Sequence, residues 1–460
     1  MAKLLSVIII GSGPAGIAAA EAARRSGAGS VTVVEAAERL GGECPNWGCL
    51  PTKSLLSSVE ELMRARRSKE FGIEIPKAGF DFGSLMRREM KIVDMVTGGG
   101  RVEKLLRELD AKLLRGRARF VSPSEIEVAG RRYSADRFII AAGSVPSVPP
   151  VEGLKEVGFL TVTDILSLKR PPKSLAIVGG GPIGVEFAQI FAPLGVKIVI
   201  VEAAEHILAR EDREIAAAVA GSFRKQKVAL LTGHKFIAAA KVGRLKQLTL
   251  APIEGGRKKK ISVEAIFIAV GKRPALDDLG LEQAGIGLDD RKRLTLNDYL
   301  QTTNPAVYAA GDSAGRMMYT SVAHREGAAA AVNAVKGNSV KVDLAVMPRG
   351  TFCHPEVGSV GLTEAEARAK GAAVGVGRSS YAALSKSLAY GEKEGLIKIV
   401  ADTKTGAILG GHVVGQSAAE LVHEIALAMY ARLTYHELAN MIHAFPTFAE
   451  GVGAAAGDVK

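Results

Sequence analysis

The chain has 460 residues, 47% of them apolar and 5% aromatic, with 52 glycines, three cysteines and a net charge of +12. This length calls for about three domains around large cores, and three cysteines exclude a disulfide-stapled scaffold. The charge comes from short basic runs scattered along the chain, as in 64–67, 257–260 and 291–293. With no interleaved aromatics or binding motif they read as solvated surface, leaving room for an acidic protein partner but not pointing to nucleic acid.

The chain opens on the apolar run Leu5–Ile10, then Gly11-Ser12-Gly13-Pro14-Ala15-Gly16, an Ala-rich stretch to Arg25, and Val31–Val34 ending at Glu35. This order predicts strand, turn, helix, strand and acidic residue. Gly11, Gly13 and Gly16 permit a tight turn that a pyrophosphate approaches closely, and Glu35 suits a ribose. The first run is short and enters a glycine turn directly, so a strand is expected there and not a signal peptide. No apolar stretch is long enough to span a bilayer.

Gly41–Lys53 follows, holding Cys44 and Cys49 beside Pro45, Trp47, Gly48 and Pro51. Bridged Cα atoms lie roughly 4.4–6.8 Å apart, closer than a regular helix holds residues at this spacing. The segment is therefore expected to bend, which Pro45 and Gly48 allow, and to carry a redox-active disulfide, which needs an electron source. Cys353 is left as a buried small hydrophobe, and such cysteine usage reads as cytoplasmic.

The dinucleotide unit then recurs. Ser174–Val178 leads into Gly179, Gly181 and Gly184, a helix through Phe191, and a strand from Val196 to Val201 that stops at Glu202. Two such units imply two dinucleotides. Glu202 favours a free 2′-hydroxyl, so NADH is expected over NADPH. Pro146–Pro150 marks an exit between the units, and the Ala-rich end 451–460 is expected to fray. No metal-ligand set is expected.

With these motifs on the page, the chain resembles the flavoprotein disulfide reductases that contain lipoamide dehydrogenase, glutathione reductase and mercuric reductase. The likeness covers nearly the whole chain and includes Ile139–Ser144, Val270–Pro274, Thr303–Asp312 and Phe352–Glu364. It implies an α/β fold with two Rossmann-like dinucleotide-binding domains and a C-terminal α+β dimerisation domain that makes a homodimer. The implied domains are 1–150 with 272–343 for FAD, 151–271 for NAD and 344–460 for dimerisation. FAD would be held by Gly11, Gly13, Gly16, Glu35, Gly42, Lys53, Ala142, Gly143, Gly311 and Asp312. NAD would be held by Gly179, Gly181, Gly184, Glu202 and Gly271.

The resemblance also implies a relay. Electrons pass from NAD(P)H through the flavin to Cys44–Cys49, with Cys49 nearest the flavin, Cys44 as the exchange thiol and Lys53 paired with Glu186. A disulfide, metal-ion or quinone acceptor then takes them. One departure bears on that acceptor. Where thiol-exchanging members carry a His oriented by a Glu, this chain has Phe445, with Glu450 retained. Phenylalanine carries no proton, and a missing acid–base group costs about 10²–10⁴-fold in rate. His443 lies two residues away and, in an extended segment, would point the same way. The C-terminal cysteine pair of mercuric reductases is also missing. Two alternatives stay open: a dihydrolipoyl dehydrogenase that tolerates Phe445, and a flavoprotein subunit that binds a partner and turns over little.

Overall fold

The computed structural model describes residues 4–460. The chain divides into two compact units. One takes the residues up to Ser54 with Met86–Ser147 and Lys272–Leu344, and the other takes Leu55–Leu85, Val148–Gly271 and Ala345–Lys460.

The first unit is built on a five-stranded parallel sheet ordered Val307–Ala309, Arg137–Ile140, Ser6–Ile10, Ser30–Glu35 and Ala111–Arg115. Its central strand Ser6–Ile10 reads as a continuous apolar run because both faces are covered. Val7, Ile9, Val31 and Val33 pack against alanines of the helices Pro14–Arg25 and Thr320–Lys336. Ile8, Ile10 and Val34 pack on the other face with Phe120 and Ile126, which belong to an antiparallel sheet of Ala118–Ser122, Glu125–Val128 and Arg131–Ser134. The two helices touch where Gly327 meets Ala15, since a Cβ on Gly327 would stand 2.1 Å from the Ala15 carbonyl oxygen.

The second unit repeats the plan with a four-stranded parallel sheet ordered Ala229–Leu231, Lys197–Val201, Ser174–Val178 and Ala265–Ile268. A three-stranded antiparallel sheet follows, of His234–Val242, Leu245–Pro252 and Lys259–Val263. After residue 345 comes a five-stranded antiparallel sheet ordered Arg349–Thr351, Val357–Gly361, Ile408–Val414, Leu396–Asp402 and Val374–Ser380. Helices Ala418–Tyr430 and Glu450–Gly457 supply Val422, Ile425, Val452 and Ala455 to its core. The expected fraying of 451–460 is thus corrected. The small residues of that end permit backbone contact with the sheet, and a Cβ on Gly377 would stand 1.9 Å from the Ala455 carbonyl oxygen. Among the described residues, no helix is long and apolar enough to cross a membrane.

Candidate active site

In the first unit, Pro14 opens the helix Pro14–Arg25, where its fixed φ suits the first turn and its missing N–H is no loss. Gly11 has a φ of +113°, and its Cβ would fall 2.1 Å from the Ala141 carbonyl oxygen. Gly13 instead faces Gly42, whose Cβ would stand 2.6 Å from the Gly13 Cα. The turn and Gly42 therefore form a cradle lined by backbone. Glu35 is fixed beside it, with Oε2 accepting from the Ser12 N–H and Oγ at 2.9 and 2.8 Å and Oε1 from the Ala37 N–H at 2.8 Å. Gly143, beside Ala142, donates its N–H to Ser313 Oγ at 2.9 Å. Gly311 precedes Asp312, whose Oδ2 accepts from Ser144 Oγ at 2.5 Å. A cradle that any side chain would fill, with a carboxylate fixed at its edge, fits a dinucleotide.

The second unit carries the same device. A Cβ on Gly179 would stand 2.3 Å from the Ala269 carbonyl oxygen and one on Gly184 2.0 Å from the Gly179 carbonyl oxygen, while Gly181 and Gly271 face open space. Glu202 accepts the Gly180 N–H at 2.6 Å and the Ala204 N–H at 2.7 Å, as Glu35 accepts those of Ser12 and Ala37.

The thiols sit at a break between helices. Glu43–Trp47 ends at Gly48, and Cys49 opens the helix Cys49–Arg66. The segment bends as expected, at Gly48, while Pro45 lies inside the short helix. A proline fits there because first-turn N–H groups lack intrahelical partners. Both cysteines are free thiols in this structure and share a hydrogen bond. That bond from Cys44, aided by Thr320 and by the charges of Lys53 and Lys272, lowers the Cys49 thiol to about 6, while Cys44 is pushed up. Cys49 is therefore the thiolate of the pair. Thr320 Oγ1 stands 3.6 Å from Cys49 Sγ, and Lys272 Nζ pairs with Glu43 Oε1 at 2.5 Å. Lys53 follows Cys49 by one turn, whereas Glu186, in the second unit, accepts the Phe352 N–H at 3.0 Å.

Near the C-terminus, Phe445 is 75% exposed, whereas the His443 side chain is only 8% exposed. They do not point the same way, as an extended segment would require, because 441–448 is irregular. His443 turns inward, with Nε2 at 2.8 Å from Glu424 Oε1 and Nδ1 at 3.1 Å from the Met441 carbonyl oxygen. Glu450 accepts the Thr447 N–H at 2.8 Å.

The profile of the pyridine nucleotide-disulphide oxidoreductases matches residues 5–327, and that of their dimerisation domain matches 347–456. The chain belongs to this family. It is 38% identical to a dihydrolipoyl dehydrogenase of Thermus scotoductus, over 99% of this chain and 97% of that one. It is 34% identical to a mercuric reductase of Lysinibacillus sphaericus, over 98% and 82% of the two. Among solved structures it is similar to a Cu(II) complex of the HOCl-induced flavoprotein disulfide reductase RclA of Escherichia coli, at a TM-score of 0.87, 27% identity and full coverage of both chains. Family members are NAD(P)H-dependent flavin disulfide oxidoreductases, the α/β fold is theirs, and the dimerisation domain supports a homodimer.

Several residues around this family's thiols and turns escaped the sequence. Thr320 lies 271 positions from Cys49, so only the fold brings them together. Lys272 is visible as a basic residue at the return crossing, but nothing in the sequence ties it to the thiols. Ser12 is the one with a signal, since it stands inside the glycine turn.

Proposed function

We propose that this oxidoreductase uses the Cys44–Cys49 pair to reduce an acceptor that needs no general base on the protein, a thiophilic metal ion or a quinone before a dithiol substrate. The observation that carries this reading is His443. Its side chain is buried and turned inward, with Nε2 against Glu424 and Nδ1 against the Met441 carbonyl oxygen, so the ring is engaged away from the exposed Phe445, which supplies no base itself. Likeness to mercuric reductase and to the Cu(II) complex of RclA supports a metal acceptor. Likeness to dihydrolipoyl dehydrogenase supports the second reading, an enzyme that tolerates Phe445.

In this proposal the three domains are those read from the sequence. Gly11, Gly13, Gly16, Gly42, Ala142 and Gly143 line the FAD cradle, Glu35 holds the adenosine ribose, and Gly311 presents Asp312 to the ribityl chain. Gly179, Gly181, Gly184 and Gly271 leave room for the nicotinamide dinucleotide, and Lys53, one turn after Cys49, stands near the flavin. When bound, FAD would supply the electron pair that opens the disulfide, drawn as hydride from the nicotinamide. Cys49 then holds the negative charge, stabilised by the Cys44 S–H, Thr320 and two lysines, and Cys44 meets the acceptor. The cysteine usage supports a cytoplasmic enzyme. A panel of dihydrolipoamide, glutathione disulfide, Hg(II), Cu(II) and quinones, each assayed with NADH, tests the reading. Turnover with Hg(II), Cu(II) or a quinone above that with either thiol substrate is expected, and fast dihydrolipoamide turnover overturns it.

Glu202 is fixed through two backbone N–H groups, so it cannot swing away from a 2′-phosphate. NADH is expected to exceed NADPH in kcat/KM by about tenfold or more, the worth of one charge-assisted hydrogen bond. Equal use of the two donors rules out this role for Glu202.

A further inference from the structure

Glu326 lies on the helix Thr320–Lys336 and is 0% exposed, yet nothing in the relay above uses it. Its Oε2 accepts the Gly311 N–H at 2.9 Å. Its Oε1 has no hydrogen-bond partner and stands 3.4 Å from Arg316 Nη1. Gly311 opens the short 3₁₀ turn Gly311–Ala314, and the first N–H of such a turn has no partner inside it. Gly311 has a φ of +66°, and a Cβ there would meet Ala15 at 3.0 Å and Ala323 at 3.1 Å. The next residue along the helix from Glu326, Gly327, is the point of closest approach to Ala15. The carboxylate thus sits where the glycine-turn helix, the helix Thr320–Lys336 and the Gly311–Asp312 segment converge. An apolar side chain would be cheaper to bury than a carboxylate, so the acid there requires a specific task.

We propose that Glu326 is a positioning residue for the flavin site: by holding the Gly311 N–H it fixes the turn that presents Asp312 to FAD. The inference rests on the reading that Asp312 binds FAD. A hydrogen bond to a buried N–H ties the turn to the helix, so Asp312 keeps its place before the cofactor arrives. Burial raises the Glu326 carboxyl to about 7; of the charged groups facing it, Arg316 lowers it and Asp312 raises it further. The usual value is 4.5, so between the two the folded chain binds the extra proton. Stability therefore falls as pH rises across that window.

The test uses purified holoenzyme and two readouts: the rate of FAD release on dilution, and hydrogen exchange of the 309–316 backbone. Glu326→Leu is expected to speed FAD release by about tenfold or more, the worth of a lost buried acceptor, and to speed exchange at 309–316. Glu326→Gln keeps an acceptor for Gly311, so both readouts stay within about threefold of wild type and the pH dependence of stability flattens. Asp312→Asn separates the two ideas. If it leaves FAD release unchanged, the reading of Asp312 fails. If it speeds release while Glu326→Leu changes neither readout, the proposal is overturned. Should Glu326→Leu not fold, Glu326→Asp withdraws the acceptor by one methylene while keeping the charge, and wild-type behaviour in both readouts overturns the proposal equally.

Discussion

Cys49 is acidified by neighbours drawn from three stretches of chain: Cys44 and Lys53 nearby, Lys272 at the return crossing, and Thr320 at a helix start. The first in weight is the Cys44 S–H. In reduced enzyme Cys49 should therefore react with iodoacetamide down to a midpoint near pH 6, and Cys44→Ser, whose hydroxyl is a better donor than a thiol, should keep that midpoint low. Cys44→Ala, which donates nothing, should raise it clearly; a midpoint that stays near pH 6 in Cys44→Ala removes the hydrogen bond from the account. Phe445 makes the opposite case, a residue whose meaning is what it cannot do. Wild type should oxidise dihydrolipoamide poorly, and Phe445→His should raise that activity with a new ionisation near neutrality. The gain should fall short of the about 10²–10⁴-fold of a well-oriented acid–base, because one Glu450 oxygen is held by the Thr447 N–H. Wild-type turnover of dihydrolipoamide at the rate of ordinary thiol-exchanging members would sink the argument.

At the scale of elements, the two glycine-turn units were legible because their signals are local. Apolar runs covered on both faces, glycines in a turn and an acid closing the second strand all lie within one short stretch. The five-stranded sheet after residue 345 was not legible in this way, because its meaning lies across strands. Register places Arg349 beside Ser359, Ser359 beside His412, His412 beside Lys398, and Lys398 beside Arg378. This polar row crosses every strand, and no stretch of sequence shows it. Lys398 is 2% exposed and reaches Asp212 at 3.0 Å, Glu214 at 2.6 Å and Glu364 at 2.8 Å, so it ties the sheet to the start of the helix Arg213–Lys225. Lys398→Met leaves Asp212, itself buried, without its cation. Removing one partner of a buried pair costs about 3–5 kcal/mol, so the urea midpoint should fall by a corresponding amount with the slope unchanged; an unshifted midpoint shows that the row carries no stability. The hydrogen bond from Arg378, helped by Lys398, depresses Glu214 from 4.5 to about 2. Its contribution is present above pH 4.5 and is lost as pH falls through about 2, so acid should loosen this contact.

Over the whole molecule, charge and apolar exposure are distributed unevenly, and neither pattern was read from the sequence. The basic runs look scattered, yet residues 234–263 hold eight lysines and arginines against a single glutamate. In the structure these residues form one antiparallel sheet with Lys259–Val263 at its edge, and Lys259 and Lys260 are exposed there. Lysines on an open edge discourage pairing with another strand, which gives part of the net charge of +12 a physical reason without a partner. The apolar counterpart lies near the C-terminus. Leu427, Tyr430, Met441, Ile442 and Phe445 are all exposed, Ile442 at 96%, and a monomer seldom leaves such a set in water. They fall in the segment matched by the dimerisation domain. The protein should therefore sediment at twice its chain mass of 48.2 kDa. An unpaired charge buried in an interface costs at least several kcal/mol in an apolar setting, by a rough count. The double variant Tyr430→Glu with Ile442→Glu should thus shift the enzyme toward single chains while leaving each chain folded by circular dichroism. If that variant sediments with wild type, these side chains are not in the interface. If wild type itself sediments as one chain, the exposed set has another purpose and the dimer is wrong.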